Sequence, residues 1–202
     1  MKILITGFDP FNGESINPAY EAVKRLPDHL DGHQIIKKQV PTVFKKSIDE
    51  LKKAMDEYQP DIIICVGQAG GRAEITIERI AINIDDARIK DNEGKQPIDM
   101  PIVKNGPAAY FSNLPIKHML EWMKVQKIPA NISDSAGTFV CNHIMYGLMH
   151  DIMTHHPERL GGFIHVPFIP EQVMDKSGVA SMNLDLITKG LLVAVQSIVS
   201  KK

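Results

Sequence analysis

Residues 61–67 read DIIICVG, in which five apolar side chains run without interruption between an aspartate and a glycine. Such a run is too short for a buried helix and too uniform for a strand with one wet face. A strand that is apolar on both faces has to be covered on both, and in a chain of this length that means a sheet held between two layers of helices. Residues 2–7 form a second run of this kind, ending at Gly7. The segments around these runs alternate in period. Asn17 and Pro18 read as an N-cap and first helical position, with a helix to about Leu26. A strand is expected over 33–40, and a helix over 43–58 from the spacing of Phe44, Ile48, Leu51 and Met55.

Isoleucines alternate from Ile75 to Ile84 with a register shift at Glu78 and Arg79, which predicts a long strand with a bulge or bend. Residues 85–112 have no sustained period and read as a long loop or a small excursion from the sheet. A helix over 116–125, strands over 130–133 and 162–166, and helices over 140–155 and 182–200 complete the pattern. The expected fold is α/β, a three-layer α/β/α sandwich around a mostly parallel mixed sheet. With 202 residues and no convincing linker or repeat, residues 1–202 are expected to form one catalytic domain.

The formal charge of −1 argues against a sequence-independent nucleic-acid binder, which would need clustered Lys and Arg. The apolar start MKILITGF is too short for a signal-peptide core, and no later segment is long enough to span a membrane. Cys65 and Cys141 are the two cysteines, fewer than a secreted chain of this type usually carries, so a cytoplasmic location is expected. There a thiol is free for chemistry. Neither HExxH nor paired CxxC occurs, so no metal is expected.

Reactive groups in sheets of this kind collect at the carboxyl ends of the strands, and three segments fall there: the GFDPF loop, the GQAGG loop and the turn before Cys141. Cys141, in SDSAGTFVCNH, opens a helix whose first-turn N–H groups and dipole favour an anion, so a lowered thiol pKa is expected. A gap-filling apolar role is the alternative. His165 ends the strand GGFIHVP, where an imidazole could serve as base or be a hydrogen-bonded structural residue. His143, two positions from Cys141, points away from it on a helix. Glu78 is either a solvated strand residue or the third group that orients the histidine. GQAGGR resembles a phosphate cradle without matching either common form, and Ser135 in SDSAG loosely echoes a serine-hydrolase elbow. A non-catalytic nucleotide-binding module and a serine hydrolase therefore remain as alternatives.

Four separated motifs carry a resemblance to a known family: TGFDPFNGESINPA at 6–19, VGQAGGRAEITIERIAIN at 66–83, SDSAGTFVCNH at 133–143 and GGFIHVPFIPEQ at 161–172. In this order they resemble the pyroglutamyl peptidase I family of cysteine exopeptidases. The resemblance implies Cys141 as nucleophile, His165 as base and Glu78 as third member. It places Phe8, Phe11 and Phe139 around a lactam ring, with Gln68, Thr42 and Val140 completing the pocket; in the mechanism expected for such a site, N–H groups at the helix start hold the oxyanion, helped by Arg88. It also implies pyroglutamyl peptides as substrates, a thioester acyl-enzyme, no cofactor, a cytosolic setting and a homotetramer.

Overall fold

The computed structural model describes residues 1–200; Lys201 and Lys202, the end of the expected 1–202 domain, lie outside the described residues. In chain order the elements are β1 (Lys2–Phe8), α1 (Pro18–Lys24), β2 (His29–Leu30), β3 (His33–Val40), α2 (Lys46–Tyr58), β4 (Ile62–Gln68), β5 (Ile75–Glu78) and β6 (Ile80–Ile82). There follow β7 (Ala109–Phe111), α3 (Ile116–Val125), β8 (Ala130–Ser133), α4 (Val140–His155), β9 (Leu160–Val166), a 3-10 turn (Pro170–Gln172) and α5 (Leu184–Val199). Seven strands form one sheet in the order β2-β3-β1-β4-β9-β5-β8. Its pairings are parallel except β2 with β3 and β5 with β9.

Side-chain parity along the central strands explains the two helical layers. Ile3 and Ile5 of β1, Ile62, Ile64 and Val66 of β4, and Ile164 and Val166 of β9 pack with α1, α3 and α5. The alternate positions, Leu4, Ile63, Cys65 and Phe163, pack with α2 and α4. Strands committed on both faces are why the runs at 2–7 and 61–67 contain almost no polar residues. Truncating a fully buried isoleucine such as Ile64 or Ile77 to alanine removes about 2–5 kcal/mol of stability.

Several boundaries differ from the sequence expectation: α1 ends at Lys24 rather than about Leu26, β9 starts at Leu160 rather than 162, and three others have an identifiable cause. α2 starts at Lys46 rather than 43, because Lys45 has φ 67° and ψ −53°. That turn is held from outside: Asp91 Oδ2 accepts the Phe44 N–H at 3.0 Å and His143 Nε2 accepts the Lys45 N–H at 2.9 Å. The strand expected to Ile84 divides after Glu78. Beyond Arg79, whose N–H bonds to the Ser133 carbonyl, the chain leaves the sheet and β6 pairs antiparallel with β7 in a separate two-stranded sheet. The 85–112 segment is thus the excursion, pinned by the Asp85–Met100 bridge and by β7. α5 begins at Leu184 because Asn183 caps it, its side chain accepting the Asp185 N–H at 2.8 Å.

Candidate active site

The parity that builds the core also gathers the reactive residues. In β5, Ile75 and Ile77 face the α1/α3/α5 layer, so Thr76 and Glu78 face the other side. In β9, His165 shares its face with Phe163, toward α4. β5 and β9 run antiparallel, with Thr76 opposite His165 and Glu78 opposite Phe163. Glu78 is fully buried, and its Oε1 accepts a hydrogen bond from His165 Nδ1 at 2.7 Å. The same oxygen accepts Arg72 Nη1 at 2.6 Å. Arg72 also donates to the Thr76 hydroxyl and, from Nη2, to the Ser135 carbonyl at 3.2 Å.

Cys141 reaches this corner from the first turn of α4. Phe139 caps that helix without a side-chain bond, so its first-turn N–H groups keep no intrahelical partner. Gly67 lies beside His165 in the β4–β9 pairing. A Cβ at Gly67 would stand 2.8 Å from Cys141 Sγ and 2.7 Å from Phe163 Cζ. The Phe163 ring in turn lies 4.7 Å, centroid to centroid, from the His165 ring. Thiol, imidazole and carboxylate therefore occupy one corner, and the missing side chain at residue 67 makes room for the sulfur. This close approach, rather than a phosphate cradle, is what the first glycine of GQAGG does. At Gly70 a Cβ would collide with the Phe168 ring at 2.3 Å.

The titration of these groups corrects the expected low thiol pKa. Burial, with the Glu78 charge added to it, pushes the Cys141 thiol up to about 12, and Arg72 opposes this only in part. Burial also lowers His165 below its ordinary value, against the upward pull of Glu78. Glu78 itself is raised by burial, but the bonds from His165 and Arg72 pull it down, and its carboxyl lies below the ordinary range. The resting pair is thus a neutral thiol and a neutral imidazole beside a carboxylate. Since Nδ1 faces Glu78, Nε2 is the unprotonated nitrogen of that imidazole.

The corner opens into a cavity of about 900 Å³, lined by Phe8, Phe11 and Phe139 together with Thr42, Gln68, Arg72, Arg88, Cys141 and His165. Phe11 and Phe139 face each other at 6.2 Å between centroids, and Phe44 supports Phe139 edge-on at 5.4 Å. Val140, expected among the pocket side chains, is instead fully buried in the core between sheet and α4. Val140 is not among the residues that line the cavity. His143 is likewise turned away: its Nδ1 bonds Asp85 at 2.8 Å and its Nε2 accepts the Lys45 N–H. Ser135 lines the cavity, but its Oγ accepts the Gly137 N–H at 3.1 Å, and among the described residues no histidine bonds it. Two participants escaped the sequence reading, Arg72 and Gln172. For Arg72 the only signal is an arginine closing a glycine-rich turn six residues before a lone strand carboxylate. Gln172 Nε2 donates to Gln68 Oε1 at 2.9 Å.

A sheet-edge cavity with a thiol, an imidazole anchored to a buried carboxylate, and free helix-start N–H groups defines a cysteine hydrolase of the α/β class. The pyroglutamyl peptidase family profile matches residues 1–201. The pyrrolidone-carboxylate peptidase of Finegoldia magna is 57% identical over 199 residues, 98% of this chain and 93% of that protein. That of Thermosipho melanesiensis is 56% identical over 202 residues, the whole length of both. The crystal structure of pyroglutamyl peptidase I from Bacillus amyloliquefaciens superposes with a TM-score of 0.95 at 56% identity, covering 98% of this chain and 94% of that one. The chain belongs to the pyroglutamyl peptidase family of cysteine peptidases.

Proposed function

We propose that this chain removes an N-terminal pyroglutamyl residue from peptides, with Cys141 as nucleophile, His165 as general base and acid, and Glu78 as the group that orients the histidine. His165 Nε2 takes the thiol proton as Sγ attacks the pyroglutamyl carbonyl, which suits a pair that rests neutral. The oxyanion is met by N–H groups at the start of α4 and by Arg88 at the cavity wall. The imidazolium then protonates the departing amine, leaving a thioester. Water, losing a proton to His165, hydrolyses it and returns pyroglutamate and the thiol.

Pyroglutamate is a flat, uncharged lactam, and the walls formed by Phe8, Phe11 and Phe139, with Gln68 at their edge, suit such a ring. An N-terminal Glu or Gln would carry an ammonium among the phenylalanines, at a desolvation cost of several kcal/mol. Substrates are therefore peptides whose first residue has cyclised. Pocket and catalytic groups come from Phe8 through Phe168, which supports reading residues 1–202 as one catalytic domain. Both cysteines are free, in keeping with a reducing, cytoplasmic setting. Ile98, Met100 and Phe111, 72%, 56% and 66% exposed on the excursion, support self-association, such as the homotetramer that the family resemblance implies.

The observation that carries the catalytic reading is the 2.7 Å bond between His165 Nδ1 and a fully buried carboxylate, in the wall that also holds Cys141. The test is release of free pyroglutamate from a short synthetic pyroglutamyl peptide, with and without prior treatment by iodoacetamide. Release that stops after alkylation is expected. Release that persists, or no release from untreated protein, would refute the proposal.

A further inference from the structure

Gln68, which lines the cavity along with Asn12 and Asn17, can meet a substrate with either its amide oxygen or its NH2 group, and a second glutamine decides which. Gln172 lies in the 3-10 turn after β9 and is 6% exposed. One end of its amide receives the Ile169 backbone N–H at 3.2 Å. A backbone N–H only donates, so that end is the oxygen, and the other end is the NH2 group. The NH2 end faces three oxygens: Gln68 Oε1 at 2.9 Å, and Glu14 Oε2 and the Ile16 carbonyl at 3.4 Å each. Since Gln172 donates toward Gln68, the Gln68 atom at that contact is its oxygen. The Gln68 NH2 group is thereby left over, and among the described residues it has no protein acceptor, while Gln68 lines the cavity.

We infer that Gln172 is a positioning residue that locks the Gln68 amide with its NH2 group toward the substrate, making Gln68 the donor that recognises the ring carbonyl of the pyroglutamyl lactam. The inference rests on the pyroglutamyl reading above and deepens it. A backbone N–H at Ile169 sets the polarity of Gln172, and Gln172 sets the polarity of Gln68. A ring lacking the carbonyl would leave that donor unsatisfied against the phenylalanine walls, so the relay favours the lactam over a carbocyclic ring of the same size. The segment that follows His165 on β9 therefore also selects the ring.

Steady-state kinetics on a pyroglutamyl amide with a chromogenic leaving group test this. Gln172→Met is expected to raise KM about tenfold with kcat within about threefold, the effect of one lost recognition bond. Gln68→Leu should raise KM at least as far, and the double variant no further than Gln68→Leu alone, because Gln172 acts through Gln68. Gln68→Glu keeps an oxygen toward Gln172 but has no N–H for the ring, so it should match Gln68→Leu. Gln68→Glu with wild-type KM would overturn the inference whether or not Gln172→Met folds. Unchanged KM in Gln172→Met, a loss confined to kcat, or additive losses in the double variant would each overturn it too. Those results with an active wild type remove the inference alone. A wild type that does not turn over removes the pyroglutamyl reading with it.

Discussion

Glu78 Oε1 accepts two hydrogen bonds at once, from His165 Nδ1 at 2.7 Å and from Arg72 Nη1 at 2.6 Å. One buried oxygen therefore fixes the histidine ring, and a guanidinium holds that oxygen in place. Glu78→Gln removes the charge that stabilises the imidazolium, and kcat is expected to fall at least about a hundredfold with KM little changed. It also strips Arg72 of its counter-ion, so about 3 kcal/mol of stability should be lost, read as a lower urea midpoint.

Arg72→Met addresses the other half of that relationship. Arg72 disfavours protonation of His165, so without it the imidazole binds its proton more readily. The acid limb of kcat/KM, expected below pH 6.5 in the wild type, should move to higher pH in Arg72→Met and return toward the wild-type position in Arg72→Lys. Identical acid limbs in all three proteins would argue against the contact.

Stability should show a window in pH. His165 is lowered from 6.5 and Glu78 from 4.5, so below those values the unfolded chain binds more protons than the native one, and stability falls as pH drops through 6.5 and again through 4.5. Cys65 and Cys141 are raised from 9.0 to about 12, so above pH 9 the native state holds protons that the unfolded chain releases, and stability falls as pH rises. Denaturant midpoints measured from pH 4 to 11 should therefore plateau between about 6.5 and 9.

Gly67→Ala places a methyl 2.8 Å from Cys141 Sγ and 2.7 Å from Phe163 Cζ. Neither atom can yield without shifting the nucleophile or the core. Thermal melting should report a loss of about 1–3 kcal/mol, and turnover should fall by more than that loss explains, because the sulfur is displaced. An active, unperturbed Gly67→Ala would contradict the packing described at this corner.

Much of the fold can be read along the chain where period and burial coincide. β3, α3, β8 and α4 occupy 33–40, 116–125, 130–133 and 140–155 as their patterns predict. The start of α2 could not be read, because the left-handed Lys45 is held by Asp91 and His143 from far along the chain. At the site, parity along β5 and β9 puts Glu78 and His165 on the α4 side, yet nothing in their spacing brings β5 beside β9. The thiol's titration differs from the expectation because burial and the Glu78 charge, neither visible in the local sequence, push it up. Arg72 and Gln172 show their roles only beside partners that folding supplies, as Gln172 and Gln68 lie 104 residues apart.

The most direct test of the Cys141 mechanism is to trap the acyl-enzyme by acid quench during turnover of a pyroglutamyl peptide and locate the adduct by mass spectrometry. One pyroglutamyl group is predicted on the fragment carrying Cys141, absent from Cys141→Ala and from protein alkylated beforehand. An adduct on Ser135 or elsewhere, or normal turnover by Cys141→Ala, would contradict the account.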